Sequence, residues 1–262
     1  MEDTDILLTN DDGIDAPGLR LLHDALSESG ADVTVVAPAD DSSGVGRALS
    51  FGRRNSVGGG SDIDVDWEEF SYEVPYEEHE LGYAVEGTPC ECVIAGLRAF
   101  DGTGPDLVVS GSNPGPNVGV STFHRSGTVS AVIEAAYLGV PGIAVSSDGT
   151  DHDDAAGFAA RLVDHATSTS VFDSVDYLNV VVPSGATEVE VTRPVSEYDM
   201  DAEFNGGSFK VLYPKLRRVA RKEGDMPDGT DENALNNGRA SVTPLQLPHT
   251  PREVEALDGL EM

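Results

Sequence analysis

Short, almost uninterrupted apolar runs recur between Ile6 and Val182, and each is separated from the next by a stretch with helical spacing. The runs span Asp5 to Thr9, Asp32 to Ala37, Asp106 to Ser110, Gly142 to Ser146 and Tyr177 to Val182. Helices are expected over Pro17 to Ser29, Thr88 to Phe100, Gly127 to Leu138 and Asp153 to Thr167. Pro17 at the start of the first helix and Gly30 just past its end fit the usual asymmetry of helix termini. Strands that lack a polar face must be buried on both sides, so the pattern predicts an α/β, Rossmann-like, mostly parallel sheet with helices on both faces. A chain of 262 residues is long enough to bury such a core as one domain with appendages.

Two regions break the alternation. Arg53 to Glu80 contains Gly58-Gly59-Gly60, a run of acids and an alternating segment from Phe70 to Pro75, which reads as a loop and a hairpin. Beyond Pro183, the alternation at Glu188 to Thr192 and Phe209 to Tyr213 suggests extended strands, and Val219 to Asn237 is polar. The expected division is a core over 1–185, an extended C-terminal β arm over 186–237 that protrudes or packs on a neighbouring subunit, and a return segment over 238–262.

The chemistry-bearing residues gather at the ends of the apolar runs. The first run ends in Thr9-Asn10-Asp11-Asp12-Gly13, which sets two carboxylates at the carboxyl edge of a sheet, where ligands of open α/β folds bind. Both can converge on one oxygen-loving cation such as Mg²⁺ or Mn²⁺, although a turn opened and capped by acids accounts for the same letters. The second run leads into Pro38-Ala39-Asp40-Asp41-Ser42-Ser43-Gly44, whose small residues expose N–H groups to an anion and whose Ser43 offers a hydroxyl to a metal or a phosphate. The third leads into Ser110-Gly111-Ser112-Asn113-Pro114-Gly115-Pro116-Asn117, where Asn113 offers a neutral oxygen. Arg125-Ser126-Gly127-Thr128 opens a helix, a position suited to phosphate, with an ordinary N-cap as the alternative. Four such loops at one sheet edge carry more weight than any one of them.

Charge narrows the partners. A net charge of -31, from 47 acidic and 16 basic residues, repels phosphate backbones and anionic headgroups, which argues against nucleic acid and membrane surfaces. Three lysines beside thirteen arginines, with so many short carboxylates, is the composition expected of a protein from a halophile's cytoplasm. Cys90 and Cys92 lack a second pair and read as buried thiols, no run is long enough to span a bilayer, and the N-terminus is acidic where a signal peptide would be basic.

The strand-ending Thr-Asn-Asp-Asp-Gly, the Ala-Pro loop with Ser-Gly-Val-Gly, the Ser-Gly-x-Asn turn and Ser-Gly-Thr-Val occur here in that order. Together they resemble the SurE family of survival-protein nucleotidases. The resemblance continues through Glu86-Gly87-Thr88-Pro89 to Ser241-Val242-Thr243-Pro244-Leu245. It implies that Asp11, Asp12, Ser43 and Asn113 hold one divalent metal ion, and that Asn10, Gly44, Ser126, Gly127 and Thr128 surround a substrate phosphate. It further implies hydrolysis of nucleoside 5′- and 3′-monophosphates, short-polyphosphate cleavage in some members, and homodimers or homotetramers built through exchanged C-terminal arms. Arg47 stands where many members carry histidine, and Arg125 where tyrosine is frequent; both bear on substrate preference. His124 lies beside the last motif, and Trp67 and Tyr72 sit in the insert, where hydrophobic anchoring is favoured over a base contact.

Competing readings fit less well. A phosphatase with an aspartyl-phosphate intermediate needs two aspartates one residue apart, and here they are adjacent. A non-catalytic receiver-like module is about half this length and needs a lysine at a strand end, where none of Lys210, Lys215 and Lys222 lies. A nucleotide-binding module without turnover differs only in an assay.

Overall fold

The computed structural model describes residues 4–50, 65–66, 68, 71–100, 104–149, 151–196, 200–214, 219 and 226–247. The order begins β1 (Asp5–Thr9), α1 (Pro17–Glu28), β2 (Asp32–Pro38), β3 (Val65–Asp66), β4 (Ser71–Tyr72), β5 (Tyr76–His79), β6 (Gly82–Val85) and α2 (Pro89–Arg98). It continues with β7 (Leu107–Pro114), α3 (Val120–Phe123), α4 (Gly127–Tyr137), β8 (Gly142–Ser147), α5 (Asp153–Ser168) and β9 (Tyr177–Val182). Strands β10 (Val189–Val191), β11 (Asp201–Asn205) and β12 (Ser208–Leu212), helix α6 (Asp231–Asn236) and β13 (Ala240–Leu245) complete it.

Nine strands form the main sheet in the order β10-β13-β9-β8-β7-β1-β2-β6-β5. The stretch from β9 to β6 is parallel throughout, whereas β13 runs antiparallel to β9 and β5 antiparallel to β6. The pleat sends alternate residues of each strand to opposite faces. Ile6 and Leu8 of β1 therefore join Leu19, Leu22 and Leu26 of α1 and Ala155, Ala159 and Val163 of α5 on one face. Leu7 faces the other side with Cys92 and Val93 of α2 and Ala131 and Ala135 of α4. Leu22 is fully buried, and truncating such a side chain to alanine costs about 2–5 kcal/mol.

Helix α2 starts on a capping box: the Glu91 N–H donates to Thr88 Oγ1 at 3.3 Å, and Thr88 N–H donates to Glu91 Oε2 at 2.8 Å. Glu91 also accepts from the Ser50 N–H and hydroxyl and from the Tyr72 hydroxyl, so one buried carboxylate ties the preceding loop and the insert to this helix. Tyr72 thus anchors the insert, while Trp67 lies outside the described residues. Cys90 and Cys92 are free and buried, and burial pushes the Cys90 thiol up to about 12.

One segment differs from the sequence expectation. Val189–Val191, expected within the arm, pairs in parallel with β13 as an edge strand of the main sheet. The hairpin expected near Phe70 corresponds to the antiparallel β3–β4 pair, with Val65 opposite Tyr72 and Asp66 opposite Ser71, while β5 and β6 over residues 76–85 form a second antiparallel pair that joins the main sheet at its other end. Within the remainder of the expected arm, β11 and β12 form an antiparallel hairpin in which Phe204 is 94% exposed and Phe209 65% exposed.

Candidate active site

The chain leaves β1 toward β2 on one side and returns to β7 on the other, so the sheet order reverses between β1 and β7. Loops after adjacent strands diverge at such a point and open a crevice. Asp11 and Asp12 follow β1, Ser43 follows β2, and Asn113 lies at the end of β7. The β7–β8 register shifts between Ser110 and Asn113, an irregularity that re-aims the strand where Asn113 leaves it.

A cleft of about 420 Å³ lies there, lined by Asp11, Ser43, Gly44, Asn113, Asn117 and Ser126 among others. Five of the nine sequence-predicted site residues therefore share one wall. The remaining four, Asn10, Asp12, Gly127 and Thr128, do not reach its lining. Asn10 is fully buried beside it, with Nδ2 donating to the Gly13 carbonyl at 2.8 Å and Oδ1 buried without a hydrogen-bond partner. The N-terminus of α4 is pressed against Asp11, and the Thr128 hydroxyl donates to Asp11 Oδ1 at 2.6 Å. A Cβ on Gly127 would stand 2.6 Å from that of Asp11, so only glycine permits the approach. Ser126 is the N-cap, accepting from Val129 N–H at 3.1 Å.

Electrostatics at this point are unfavourable without a cation. Burial raises the Asp11 carboxyl above its usual range, opposed by the Thr128 hydroxyl and by backbone N–H groups of Thr128 and Gly127. Asp12 is pushed up to about 7, first by burial and then by the charges of Asp11 and Asp41. Asp12 Oδ2 is buried and has no hydrogen-bond partner. Ser43 gives its proton to Asp41 Oδ1 at 2.6 Å, and Asn113 Nδ2 donates to the Gly115 carbonyl at 2.6 Å. Both groups thereby keep an oxygen available as an acceptor. Among the described residues no three His, Cys, Asp or Glu side chains converge on one point. The oxygens that these loops offer, two carboxylates, a hydroxyl and an amide, are of the hard kind that suits a divalent ion such as Mg²⁺.

A family model described as survival protein SurE matches residues 6–200. The chain belongs to the SurE family. It is 46% identical over 276 residues to a protein named 5′-nucleotidase SurE from Natronomonas pharaonis, an alignment covering 98% of each chain. It is 45% identical over 276 residues to the protein of that name from Halobacterium salinarum, covering 99% of this chain and 97% of the other. The crystal structure of the SurE protein from Aquifex aeolicus has the same fold, with a TM-score of 0.75, 30% identity and 94% of each chain covered.

Within this SurE chain the two departures from the family pattern behave differently. Arg47 pairs with Glu134 and lies 4.6 Å from the centre of the Tyr137 ring, off the cleft. Arg125 lines the cleft and also a neighbouring pocket formed with Val120, Ser121, His124 and Ser196, and its Nη1 donates to the Ser121 carbonyl at 2.6 Å. Sequence reasoning assigned no role to Asn117, which lines the cleft and directs Nδ2 to Ser146 Oγ at 3.1 Å and Thr128 Oγ1 at 3.5 Å. Its one signal was a second asparagine four residues after Asn113. Met200 and Tyr213, flanking the β11–β12 hairpin, also line the cleft and carried no signal.

Proposed function

We propose that this chain hydrolyses nucleoside 5′(3′)-monophosphates to nucleoside and phosphate, with one divalent ion, Mg²⁺ or Mn²⁺, held by Asp11, Asp12, Ser43 and Asn113. The observation that carries the reading is the convergence of Asp11, Ser43, Asn113 and Ser126 on one cleft at the point where the sheet order reverses. The names of its relatives supply the substrate class.

When bound, such an ion supplies Lewis acidity, withdrawing charge from a phosphoryl oxygen and lowering the pKa of water toward neutrality. The chain's own groups supply the rest. Asp11 is fixed by the Thr128 hydroxyl, so the ligand carboxylate is held in place before substrate arrives. Asp12, the second carboxylate beside Asp11, would orient the attacking water. Ser126, Gly44 and Asn117 face the cleft and would hold the remaining phosphoryl oxygens, with Arg125 as the cationic wall. Asn10, Gly127 and Thr128 support the site from behind.

The assembly is a homo-oligomer, dimer or tetramer, joined through the exposed β11–β12 hairpin. It works in a salt-rich cytoplasm, a reading supported by the net charge of -31 and by relatives from Natronomonas and Halobacterium. The test is phosphate release from the common mononucleotides at molar KCl, after chelation and after adding back Mg²⁺ or Mn²⁺. Turnover that vanishes with chelator and returns with the ion is expected. Binding without turnover under every metal would make this a nucleotide-binding module.

A further inference from the structure

Strand β9 carries one amide, Asn179, in a run otherwise made of tyrosine, leucine and valine, and it is fully buried. Its Nδ2 donates to the backbone carbonyl of Asn117 at 2.8 Å, while its Oδ1 is buried with no hydrogen-bond partner. A valine at this place would leave no orphaned oxygen and would suit a strand better, so the amide is not there for the stability of β9. What it does is reach out of the sheet to a loop.

That loop, Asn113 to Asn117, holds Pro114 and Pro116, which have no N–H with which to anchor it. The Gly115 N–H closes locally on the Asn113 carbonyl at 3.0 Å. Asn113 and Pro114 still pair with Ser146 and Ser147 of β8, and side chains add ties at either end of the loop, Ser147 to the Asn113 carbonyl at 3.3 Å and Asn179 to the Asn117 carbonyl. Beyond Asn117 the chain of contacts continues toward the acidic pair. Asn117 Nδ2 reaches Ser146 Oγ and Thr128 Oγ1, and an oxygen that accepts there has its one proton left for Asp11 Oδ1. Asn117 is 7% exposed, and that exposure faces the cleft.

We propose that Asn179 is a positioning residue: from inside the sheet it fixes the backbone of Asn117, and through it the cleft wall against which the substrate phosphate lies. The inference rests on the phosphate-site reading of the cleft given above. Asn179 itself touches neither substrate nor the acidic pair, and its effect passes through the Asn117 carbonyl.

The test uses the full chain at molar KCl with Asn179→Val and Asn179→Ser, neither of which carries the amide donor to the Asn117 carbonyl. KM for a mononucleotide and the dissociation constant of inorganic phosphate, measured by calorimetry with divalent ion present, should both rise about tenfold. A loss of folded protein would lower kcat and leave KM alone, so a rise in KM separates positioning from mere destabilisation. Adding Asn179→Val to Asn117→Ala should cause no further loss, because Asn179 acts on the cleft only by placing the side chain that Asn117→Ala has already removed. Unchanged KM and phosphate affinity in a folded variant, additive losses in the double variant, or failure of both variants to fold would each overturn the proposal. A wild-type chain that binds phosphate but hydrolyses no mononucleotide would refute the nucleotidase reading, and phosphate affinity would still decide the role of Asn179.

Discussion

Asp12 is the residue whose environment is least comfortable and therefore most informative. Its carboxyl is pushed up to about 7 from 3.8 by burial and by the charges of Asp11 and Asp41. An acid raised in the folded state holds its proton more tightly there than in the unfolded chain. Its contribution to stability is therefore lost as pH rises from about 4 through about 7. With chelator present at constant molar salt, the melting temperature should fall between about pH 4 and about pH 7, and Asp12→Asn should flatten most of that slope. A slope unchanged in Asp12→Asn would place the strain on another group. Asp11, Asp12, Ser43 and Asn113 were legible because each follows an apolar run, so sequence alone puts them at the edge of the sheet. Asn117 was not, since an asparagine after Pro-Gly-Pro reads as turn chemistry and its partners Thr128 and Ser146 lie in other elements. Asn179 was hidden for the opposite reason, as one polar letter inside an apolar strand.

At the scale of elements, the buried parallel strands and their four long helices were legible because burial on two faces removes polar alternation and leaves long apolar runs. Strand β5, Tyr76–His79, was not: as an edge strand it is mostly exposed, and Tyr-Glu-Glu-His shows no apolar periodicity. Helix α6 spans six residues, too short for a period, and is fixed instead by Asp231, which accepts from the N–H groups of Gly119 and Val195. The β11–β12 hairpin was half legible, with β12 read from its alternation and β11 missed. Phe204 pairs with Phe209 across the hairpin in water, and a lone two-stranded hairpin is marginal. Removing residues 201–212 should therefore convert the assembly to monomers by light scattering at molar salt, leaving Met200 and Tyr213 of the cleft in place. If the intact chain is already monomeric at micromolar concentration, the hairpin has another purpose.

For the whole molecule, a charge of -31 is a burden in dilute buffer, where repulsion acts over tens of ångströms, and a small one at molar salt, where the Debye length is about 3 Å. The same screening lets a nucleotide anion approach a cleft whose own acids would repel it. Stability should therefore climb steeply with KCl, and far-ultraviolet circular dichroism should show loss of structure on dialysis to low salt; full stability there would remove the charge argument. The central claim is narrower: that the acids at the β1 edge of this SurE chain form the metal site on which hydrolysis depends. It is tested most directly by titrating Mn²⁺ into the chelator-treated chain at molar KCl and following free Mn²⁺ by electron paramagnetic resonance, in wild type and in Asp12→Asn. The account predicts one ion per chain, with affinity weakened at least about tenfold in the variant and turnover lost in parallel while the fold is retained. Equal Mn²⁺ affinity in the two proteins, or full turnover by Asp12→Asn at limiting metal, would contradict it.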